Sequence, residues 1–334
     1  MPRVTALLYV KNSQENLTRC LTSLSNQILD DLEILCIDDN SSDGSTDILE
    51  NYAKKETHFK LVKTKDVGFG RALSQGIKSA HGEYVAFVMP KDIVDPAAFI
   101  DLFALAKKHE ADLVRCNYYE QKDNQDILRD LFSPEETDTL IDPTENTRIF
   151  YLEPAIWAGL YRKDYLQEKK LFFLNHANQS FGSISFNFKT LVSTSKIIFS
   201  DKAYTHHKPL VDSSELFNIN KEYSETEQFL KDKILWKTYG YVFQAVKFSS
   251  YYQYMRKLTK SDLRKFVLRA RAEFHDADNH RLLFRPYFLK GQWRLLKNIL
   301  DLPINLVLAS PKFHHIKIKK SKPKSDDDKS AEKL

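Results

Sequence analysis

Short apolar runs alternate with helical patterns through the first 116 residues. Each run is long enough for a buried strand, and the stretches between them repeat apolar residues every three or four positions, as an amphipathic helix does. The predicted strands cover residues 4–10, 32–37, 59–63, 84–88 and 111–116. Strands joined by single helices need right-handed crossovers, so the pattern predicts an α/β fold with a mainly parallel sheet and helices on both faces.

Ligands of such a sheet bind beyond the carboxyl ends of its strands. The loop after the second predicted strand, from Asp38 to Ser45, is rich in Asp, Asn, Ser and Gly and is a dense turn signal. Gly68 and Gly70 precede the third predicted helix. We therefore expect a binding site that includes these two loops.

The pattern changes after residue 116. Residues 117–150 are polar and acidic without a clear period, and apolar patterns return at 156–161 and 186–199. Beyond residue 215 the chain has helical periodicity. The helical patterns cover residues 222–250, 260–275 and 287–300.

Charge is distributed unevenly along the 334 residues. The chain carries a formal net charge of +5, but residues 255–324 alone contain 18 Lys and Arg against 5 Asp and Glu. Together with the change in pattern, this predicts an α/β domain over 1–212, a basic helical region over 213–312 and a disordered polar tail over 313–334.

Aromatic and aliphatic residues accompany the cations of residues 256–300 in amphipathic patterns. Helices of this kind bind anionic lipid, so we expect peripheral attachment to the inner face of the cell membrane. The alternative is a helical subdomain that packs its apolar stripe on the catalytic core and leaves its charges in water. Nucleic acid is disfavoured as a partner because no recognised nucleic-acid-binding module accompanies the charge.

The composition fits a large folded protein, with 42% hydrophobic and 28% charged residues. Cys20, Cys36 and Cys116 are widely spaced, which indicates neither a disulfide framework nor a zinc site and favours buried thiols in a reducing cytosol. The sequence shows no signal-peptide pattern and no apolar run of about 18 residues, so we expect a cytoplasmic location without a membrane span.

An ordered set of motifs extends over residues 3–210. It comprises the turn Ile37-Asp38-Asp39-Asn40-Ser41-Ser42-Asp43-Gly44-Ser45, the stretch from Asp66 to Tyr84, Phe87-Val88 before Asp92, Ile156 to Arg162, and Lys196 to Tyr204. With these motifs in this order, the chain resembles the family 2 glycosyltransferases of bacterial polysaccharide assembly, which have the GT-A fold. The resemblance implies transfer of a sugar from a nucleotide sugar, expected to be UDP-linked, to a glycan or lipid-linked acceptor.

The resemblance also implies roles for single residues. Asp39 lies where the family places the carboxylate that accepts from uracil N–H, and Trp157 lies on the acceptor side. The residues expected to bind the donor are Asp38, Asp39, Gly68, Arg71, Lys91 and Asp92. For the two aspartates the alternative is turn formation and helix capping, and for Gly68 it is a tight turn.

The chain departs from the family pattern where a divalent metal is expected. The family's Asp-x-Asp, whose carboxylates hold ribose and a Mg²⁺ or Mn²⁺ ion on the diphosphate, reads Met89-Pro90-Lys91 here. Hard cations prefer oxygen ligands, so we predict no metal ligand at these positions. The ammonium of Lys91 would partly neutralise the diphosphate instead.

The expected catalytic base is also replaced. The family's Glu-Asp pair reads Gly182-Ser183 here, and a serine hydroxyl does not act as a general base. The candidate bases, in order, are His176, Glu153 and His206.

Two further family motifs are altered. The family's Pro-x-Tyr-Asn reads Tyr9-Val10-Lys11-Asn12 here, and its Arg-Asn pair reads Leu73-Ser74. The departures leave an alternative function open. In that alternative the chain is a catalytically degenerate GT-A protein that acts as partner or scaffold of another glycosyltransferase.

Overall fold

The computed structural model describes residues 1–123, 125–175, 182–209, 217–279, 285–289 and 291–302, together with residues 283 and 307. The strands are β1 (Val4–Val10), β2 (Leu32–Asp38), β3 (Phe59–Lys63), β4 (Tyr84–Val88), β5 (Ile93–Val94), β6 (Leu113–Lys122), β7 (Gln125–Arg129), β8 (Gly159–Arg162) and β9 (Ile197–His207). The α-helices are α1 (Gln14–Ser25), α2 (Ser45–Lys55), α3 (Phe69–Ser79), α4 (Ala98–Lys108), α5 (Lys163–Glu168), α6 (Ser183–Val192), α7 (Asn218–Asp232), α8 (Trp236–Met255), α9 (Lys260–Asn279) and α10 (Gln292–Asp301). Short 3-10 helices cover Pro134–Glu136, Thr147–Tyr151 and Arg285–Tyr287.

The described strands form one mixed sheet. Its order is β3-β2-β1-β4-β8-β6-β9-β5, and β7 pairs with β6. The pairs β3–β2, β2–β1, β1–β4 and β6–β9 are parallel, whereas β8 runs antiparallel to both of its neighbours. The first four predicted strands therefore run parallel to one another within this sheet, and the predicted α/β fold class is confirmed.

The sequence pattern missed the hairpin of β6 and β7. Strand β6 continues to Lys122 and turns back into β7, within the stretch 117–150 that shows no period. Most of β7 is exposed, and its two apolar residues, Ile127 and Leu128, are adjacent, so no alternation of apolar and polar residues marks the strand. The apolar pattern at 186–199 also divides, because its first part is helix α6 and β9 begins only at Ile197.

The core lies against both faces of the sheet. All residues of β1 and β2 are buried, which explains their unbroken apolar runs. The three cysteines are buried free thiols, as the sequence indicates. Burial raises the pKa of Cys36 and of Cys116 to about 12, which suits inert packing groups.

The chain divides into two compact units, Met1–Phe243 and Gln244–Leu334. The predicted boundary after residue 212 and the predicted tail 313–334 lie outside the described residues. None of the helices in the described part of the chain has the length and apolar character needed to cross a membrane.

The C-terminal unit has its own aromatic core. Phe248 meets Phe274 at 5.4 Å between ring centroids, and the buried ammonium of Lys247 lies 2.9 Å from the carboxylate of Glu273. Arg271 donates to the carbonyl of Ile299 at 2.5 Å and thereby joins α9 to α10. The apolar residues of the basic region are mostly buried: Phe266, Val267, Leu295, Leu296, Ile299 and Leu300. In the described residues the apolar stripe of this region is therefore mostly inside the protein.

A buried carboxylate fixes the edge of the sheet that lies away from the predicted binding loops. Glu33 accepts hydrogen bonds from Thr5 Oγ1 at 2.6 Å, from Lys60 Nζ at 2.7 Å and from the His81 backbone N at 2.9 Å. Burial alone would raise the pKa of Glu33, but these hydrogen bonds outweigh it and lower the pKa to about 2. The carboxylate therefore ties β1, β2, β3 and the start of β4 together.

We expect Glu33→Ala to destabilise the protein by about 1–3 kcal/mol at neutral pH, because it leaves buried donors without an acceptor. Since the native pKa of Glu33 lies below its ordinary value of 4.5, its stabilisation is present above that pH and is lost as the pH falls toward about 2. Urea unfolding of wild type and Glu33→Gln should therefore differ at pH 7 and converge in acid. Glu50→Gln, at an exposed carboxylate paired with Lys63, is the matched control and should change little. A Glu33→Gln protein as stable as wild type at pH 7 would contradict this role.

Candidate functional site

The carboxyl ends of β1, β2 and β4 meet at one edge of the sheet, together with the start of α3. Gly68 precedes α3 with a φ of +86°, and a Cβ placed there would meet no atom within 4 Å. The positive φ requires glycine, and the open space leaves room beside the first turn of the helix. This edge is where the sequence placed the donor.

Asp39 holds the loop before α3 against the end of β2. One carboxylate oxygen accepts from Thr64 Oγ1 at 2.6 Å and Val67 N at 2.7 Å. The other accepts from Gly68 N at 2.8 Å and Tyr9 Oη at 3.1 Å. Burial would raise the pKa of Asp39, but these hydrogen bonds hold it below its usual value. The four donors occupy the carboxylate, so in this conformation it has no oxygen left to accept from a uracil N–H.

Asp38 shapes the turn rather than facing a ligand. Its carboxylate accepts from Ser41 N at 3.1 Å and from Thr46 Oγ1 at 2.6 Å. It is 2% exposed, like Asp39. For both aspartates the described contacts are those of the turn-forming alternative.

Lys11 closes the same region from the end of β1. Its ammonium donates to the carbonyls of Asp39 at 2.7 Å and Asn40 at 3.0 Å, and it pairs with the carboxylate of Asp66. Asn40 Nδ2 also donates to Asp66, at 2.7 Å. The loops after β1, β2 and β3 are therefore joined by polar contacts within the protein.

The loop after β4 carries Lys91 on a buried support. Asp92 is fully buried. Its carboxylate is hydrogen-bonded to His207 Nδ1 at 2.8 Å and accepts a hydrogen bond from Met89 N at 3.2 Å. The Met89 carbonyl accepts in turn from Asp92 N at 2.9 Å. Lys91 is half-buried and has neither a hydrogen bond nor an ion pair within the described part of the chain. The loop thus presents one unbalanced positive charge.

Trp157 stacks on His207 behind this loop. Their ring centroids are 3.7 Å apart and the planes are 13° from parallel. Tyr118 meets the indole edge-on and donates its hydroxyl to Glu153 at 2.6 Å. The residue predicted to form the acceptor wall therefore has one face covered by a histidine.

The structure describes two of the three candidate bases. His176 lies outside the described residues. Glu153 is exposed and its carboxylate holds the Tyr118 hydroxyl. Both ring nitrogens of His206 are engaged, Nδ1 with Asp126 at 2.7 Å and Nε2 with Asp95 at 3.2 Å. His206 thus has no free nitrogen for a proton, which argues against the role that the sequence suggested.

One carboxylate at the start of α6 was missed in the sequence. The Ser185 backbone N donates to Glu222 Oε2 at 3.1 Å, so Glu222 of α7 reaches the first turn of the helix that begins with Ser183. A signal was available, because Glu222 falls on the apolar stripe of α7 with Ile219, Tyr223 and Leu230. An acid on a stripe of this kind is a candidate for a buried, perturbed group.

The groups at this edge do not suit a divalent metal. Met89 and Lys91 offer no oxygen, and the carboxylate of Asp92 is committed to His207 and Met89. In the described residues no group of three or more His, Cys, Asp or Glu side chains is placed to hold an ion.

Comparisons with known proteins agree with this architecture. The family model for glycosyl transferase family 2 matches residues 5–168. EpsH of Bacillus subtilis, named as a glycosyltransferase, is 29% identical over 253 residues, which cover 69% of this chain and 73% of EpsH. A poly(ribitol-phosphate) beta-glucosyltransferase of Bacillus spizizenii is 29% identical over 178 residues, which cover 52% of this chain and 27% of that protein.

A solved structure extends the comparison to most of the chain. TarS 1–349 of Staphylococcus aureus, in complex with UDP-GlcNAc, matches with a TM-score of 0.73 and 20% identity, over 95% of this chain and 90% of TarS 1–349. At this identity the likeness shows the fold. The family model and the relatives show that residues 5–168 belong to glycosyltransferase family 2, and the likeness to TarS 1–349 shows that the chain has the GT-A fold.

Proposed function

We propose that the chain transfers a sugar from a UDP-sugar to a hydroxyl of a glycan or lipid-linked acceptor during assembly of a cell-surface polysaccharide. The observation that carries this proposal is the ammonium of Lys91, which has no counter-ion in the described residues and follows β4 next to the buried Asp92–His207 pair. The names of the relatives support the class of reaction, and the complex of TarS with UDP-GlcNAc supports the class of donor.

The donor diphosphate is the group that fits this edge. The start of α3 presents backbone N–H groups and the positive end of the helix dipole, a combination that favours phosphate. Arg71 is the third residue of the helix, exposed and without a partner in the described residues. Lys91 and Arg71 thus bring two cations to the edge where a nucleoside diphosphate would bind.

We further propose that the donor binds without a divalent metal. Two carboxylate positions of the family pattern carry Met89 and Lys91, and neither side chain is a ligand for Mg²⁺ or Mn²⁺. The ammonium of Lys91 stabilises the diphosphate as a point charge, both when the donor binds and when the diphosphate leaves.

The alternative is a catalytically silent protein that serves as partner of another glycosyltransferase. Two observations favour it. The Asp39 carboxylate is fully occupied by donors from β1 and from the loop before α3, and Gly182 and Ser183 replace the family's Glu-Asp pair at the start of α6. Binding of UDP separates the two functions, because a silent partner does not need a nucleotide site.

Titration calorimetry with UDP tests the donor site. We expect UDP binding that changes by less than about twofold on addition of EDTA or Mn²⁺, since Lys91 provides the charge. Lys91→Met should weaken binding by about tenfold or more, because a charged hydrogen bond contributes about 1.5–3 kcal/mol. Lys55→Met, at the far end of α2, is the matched control and should bind as wild type does. A loss of more than about tenfold with EDTA would reveal a metal site, and no UDP binding at all would favour the silent partner.

Asp39→Ala tests whether that carboxylate reads the base or holds the loop. Because four internal donors occupy Asp39, we expect loss of the loop's support and an equal fall, about tenfold, in affinity for UDP and for CDP. Thr64→Ala removes one of those donors and should have a smaller effect in the same direction. A loss of affinity for UDP but not for CDP would contradict this supporting role and would favour recognition of uracil by Asp39.

We propose that exposed cations of the C-terminal unit bind anionic lipid through charge alone. Arg256, Lys257, Arg264 and Lys265 are exposed there, whereas the apolar stripe is mostly inside. Charge attracts these residues to an anionic surface without insertion of apolar side chains.

Co-sedimentation of the full chain with vesicles tests this attraction. We expect binding to vesicles that contain phosphatidylserine, none to pure phosphatidylcholine, and release by salt, because the screening length is only about 10 Å at 0.1 M. Arg264→Gln with Lys265→Gln should weaken the binding, and Lys54→Gln with Lys55→Gln in α2 should not. Equal binding to vesicles with phosphatidylserine and to pure phosphatidylcholine vesicles would indicate insertion of apolar side chains and contradict attraction by charge.

A further inference from the structure

The turn between α7 and α8 holds an isoleucine in a backbone conformation that isoleucine rarely adopts. Ile234 has a φ of +61°, in the left-handed region. A β-branched side chain crowds its own backbone there, so the conformation is strained. Every other non-glycine residue with a positive φ in the described part of the chain is an Asn, Asp, Glu or Lys. Strain of this kind at an outlier is a reason to look for a function.

Hydrogen bonds at the end of α7 impose this conformation. The Ile234 backbone N donates to the Lys231 carbonyl at 3.1 Å, and the Leu235 N donates to the Leu230 carbonyl at 2.8 Å. Together the two bonds form a Schellman motif, in which the residue after the helix cap is left-handed and is usually glycine. The motif therefore explains the φ of Ile234, but nothing in the motif requires isoleucine.

Helices α4 and α5 end in the same pair of hydrogen bonds and carry charged residues at the same position. The left-handed residues there are Glu110, with a φ of +49°, and Lys170, with a φ of +56°. Both side chains are exposed, so the position faces water. Ile234 is 84% exposed at the equivalent position of α7. Its side chain is both strained and in contact with water, and packing within the protein does not account for it.

Lysines surround this exposed isoleucine. Three of them, Lys231, Lys233 and Lys237, lie within three residues of it, together with one acid, Asp232. Lys231 pairs with Glu227 at 2.7 Å. Lys233 and Lys237 are exposed and have no ion pair in the part of the chain that the structure describes. The turn thus combines an apolar tip with a net positive charge.

Trp236 adds a side chain that suits the boundary between lipid and water. Its half-buried ring meets Phe243 at 5.7 Å, and the ammonium of Lys231 lies 5.1 Å from its centre. Tryptophan favours the headgroup region of a bilayer because its ring is amphipathic. Lysines beside an apolar side chain also suit that region, since their ammonium groups bind anionic headgroups while the apolar side chain leaves water.

We propose that Ile234 inserts into the surface of an anionic lipid bilayer and that Lys233 and Lys237 bind headgroups beside it. The contact differs from the charge attraction proposed for Arg264 and Lys265, because it depends on an apolar side chain in another part of the sequence. One isoleucine does not hold a protein on neutral lipid, since even a single acyl chain binds only marginally. Ile234 therefore strengthens an attachment that charge begins.

Two substitutions of Ile234 separate lipid binding from folding. Ile234→Gly and Ile234→Asn remove the apolar side chain and introduce residues that adopt the left-handed conformation readily. We expect each variant of the full chain to bind vesicles with phosphatidylserine about tenfold more weakly, because no aliphatic side chain leaves water. The midpoint of urea unfolding should be equal to that of wild type or higher, since the strain is relieved.

Ile28→Asn is the matched control for these vesicle measurements. Ile28 is also an exposed isoleucine, in the connection between α1 and β2, but acids instead of lysines follow it, Asp30 and Asp31. The affinity of this variant for the same vesicles should stay within about twofold of that of wild type.

Three outcomes would overturn lipid insertion. The first is an unchanged vesicle affinity in both variants of Ile234. The second is a lower midpoint of unfolding in either variant, which would show that the isoleucine serves the fold. The third is self-association of wild type without lipid that Ile234→Asn abolishes in sedimentation velocity, which would assign the residue to a protein contact.

A fluorescent label at the turn measures insertion directly. Cys20, Cys36 and Cys116 are buried, so a cysteine at the surface can be labelled selectively. The emission of an NBD label on Ile234→Cys should shift to the blue when vesicles with phosphatidylserine are added, because the label enters an apolar environment. The same label on Ile28→Cys should show no shift. A label at residue 234 that keeps its emission would overturn insertion, whether or not the chain sediments with the vesicles.

Discussion

The hydrogen bond between Asp92 and His207 sets the geometry of the candidate site. It joins the loop after β4 to the end of β9, across a sheet in which these two strands are not neighbours. Removing one partner of this buried hydrogen bond leaves the other without its partner, which costs about 1–3 kcal/mol, so the bond holds the loop in this arrangement. The backbone of Lys91 lies next to Asp92 and is positioned by it. Trp157, the residue predicted to form the acceptor wall, stacks on His207 and is therefore placed relative to the same bond.

Around this bond, most charged groups at the edge are neutralised within the protein. The carboxylate of Asp39 has four donors, and the ammonium of Lys11 has two carbonyls and a carboxylate. Groups balanced in this way give shape to the loops but little affinity for a charged ligand. Lys91 is a cation without a counter-ion in the described residues, and Glu222 is an acid with one backbone donor.

The sequence predicted the parts of the fold that depend on local pattern. Strands β1, β2 and β4 are buried on both faces, so each appears as an apolar run with nearly the observed bounds. Contacts between distant residues were not accessible in the same way. His206 and His207 are neighbours in β9, but successive side chains of a strand point to opposite faces. His206 therefore contacts Asp95 and Asp126, whereas His207 contacts Asp92. Only the register of β9 decides which histidine faces which aspartates. The reach of Glu222 from α7 to α6 depends in the same way on packing that no local period encodes.

The loss of the expected metal ligands changes coordination more than charge. In the family pattern two carboxylates and one divalent cation carry no net charge together, and the diphosphate is held because the ion is directly coordinated. Met89 and Lys91 together carry one positive charge, so the attraction for a diphosphate does not disappear with the metal. What disappears is the fixed geometry that coordination imposes. In this chain the Asp92–His207 bond supplies rigidity from the protein side, since it fixes the backbone that carries the ammonium. Under the proposed binding without a metal, the donor would be oriented through this loop rather than through an ion.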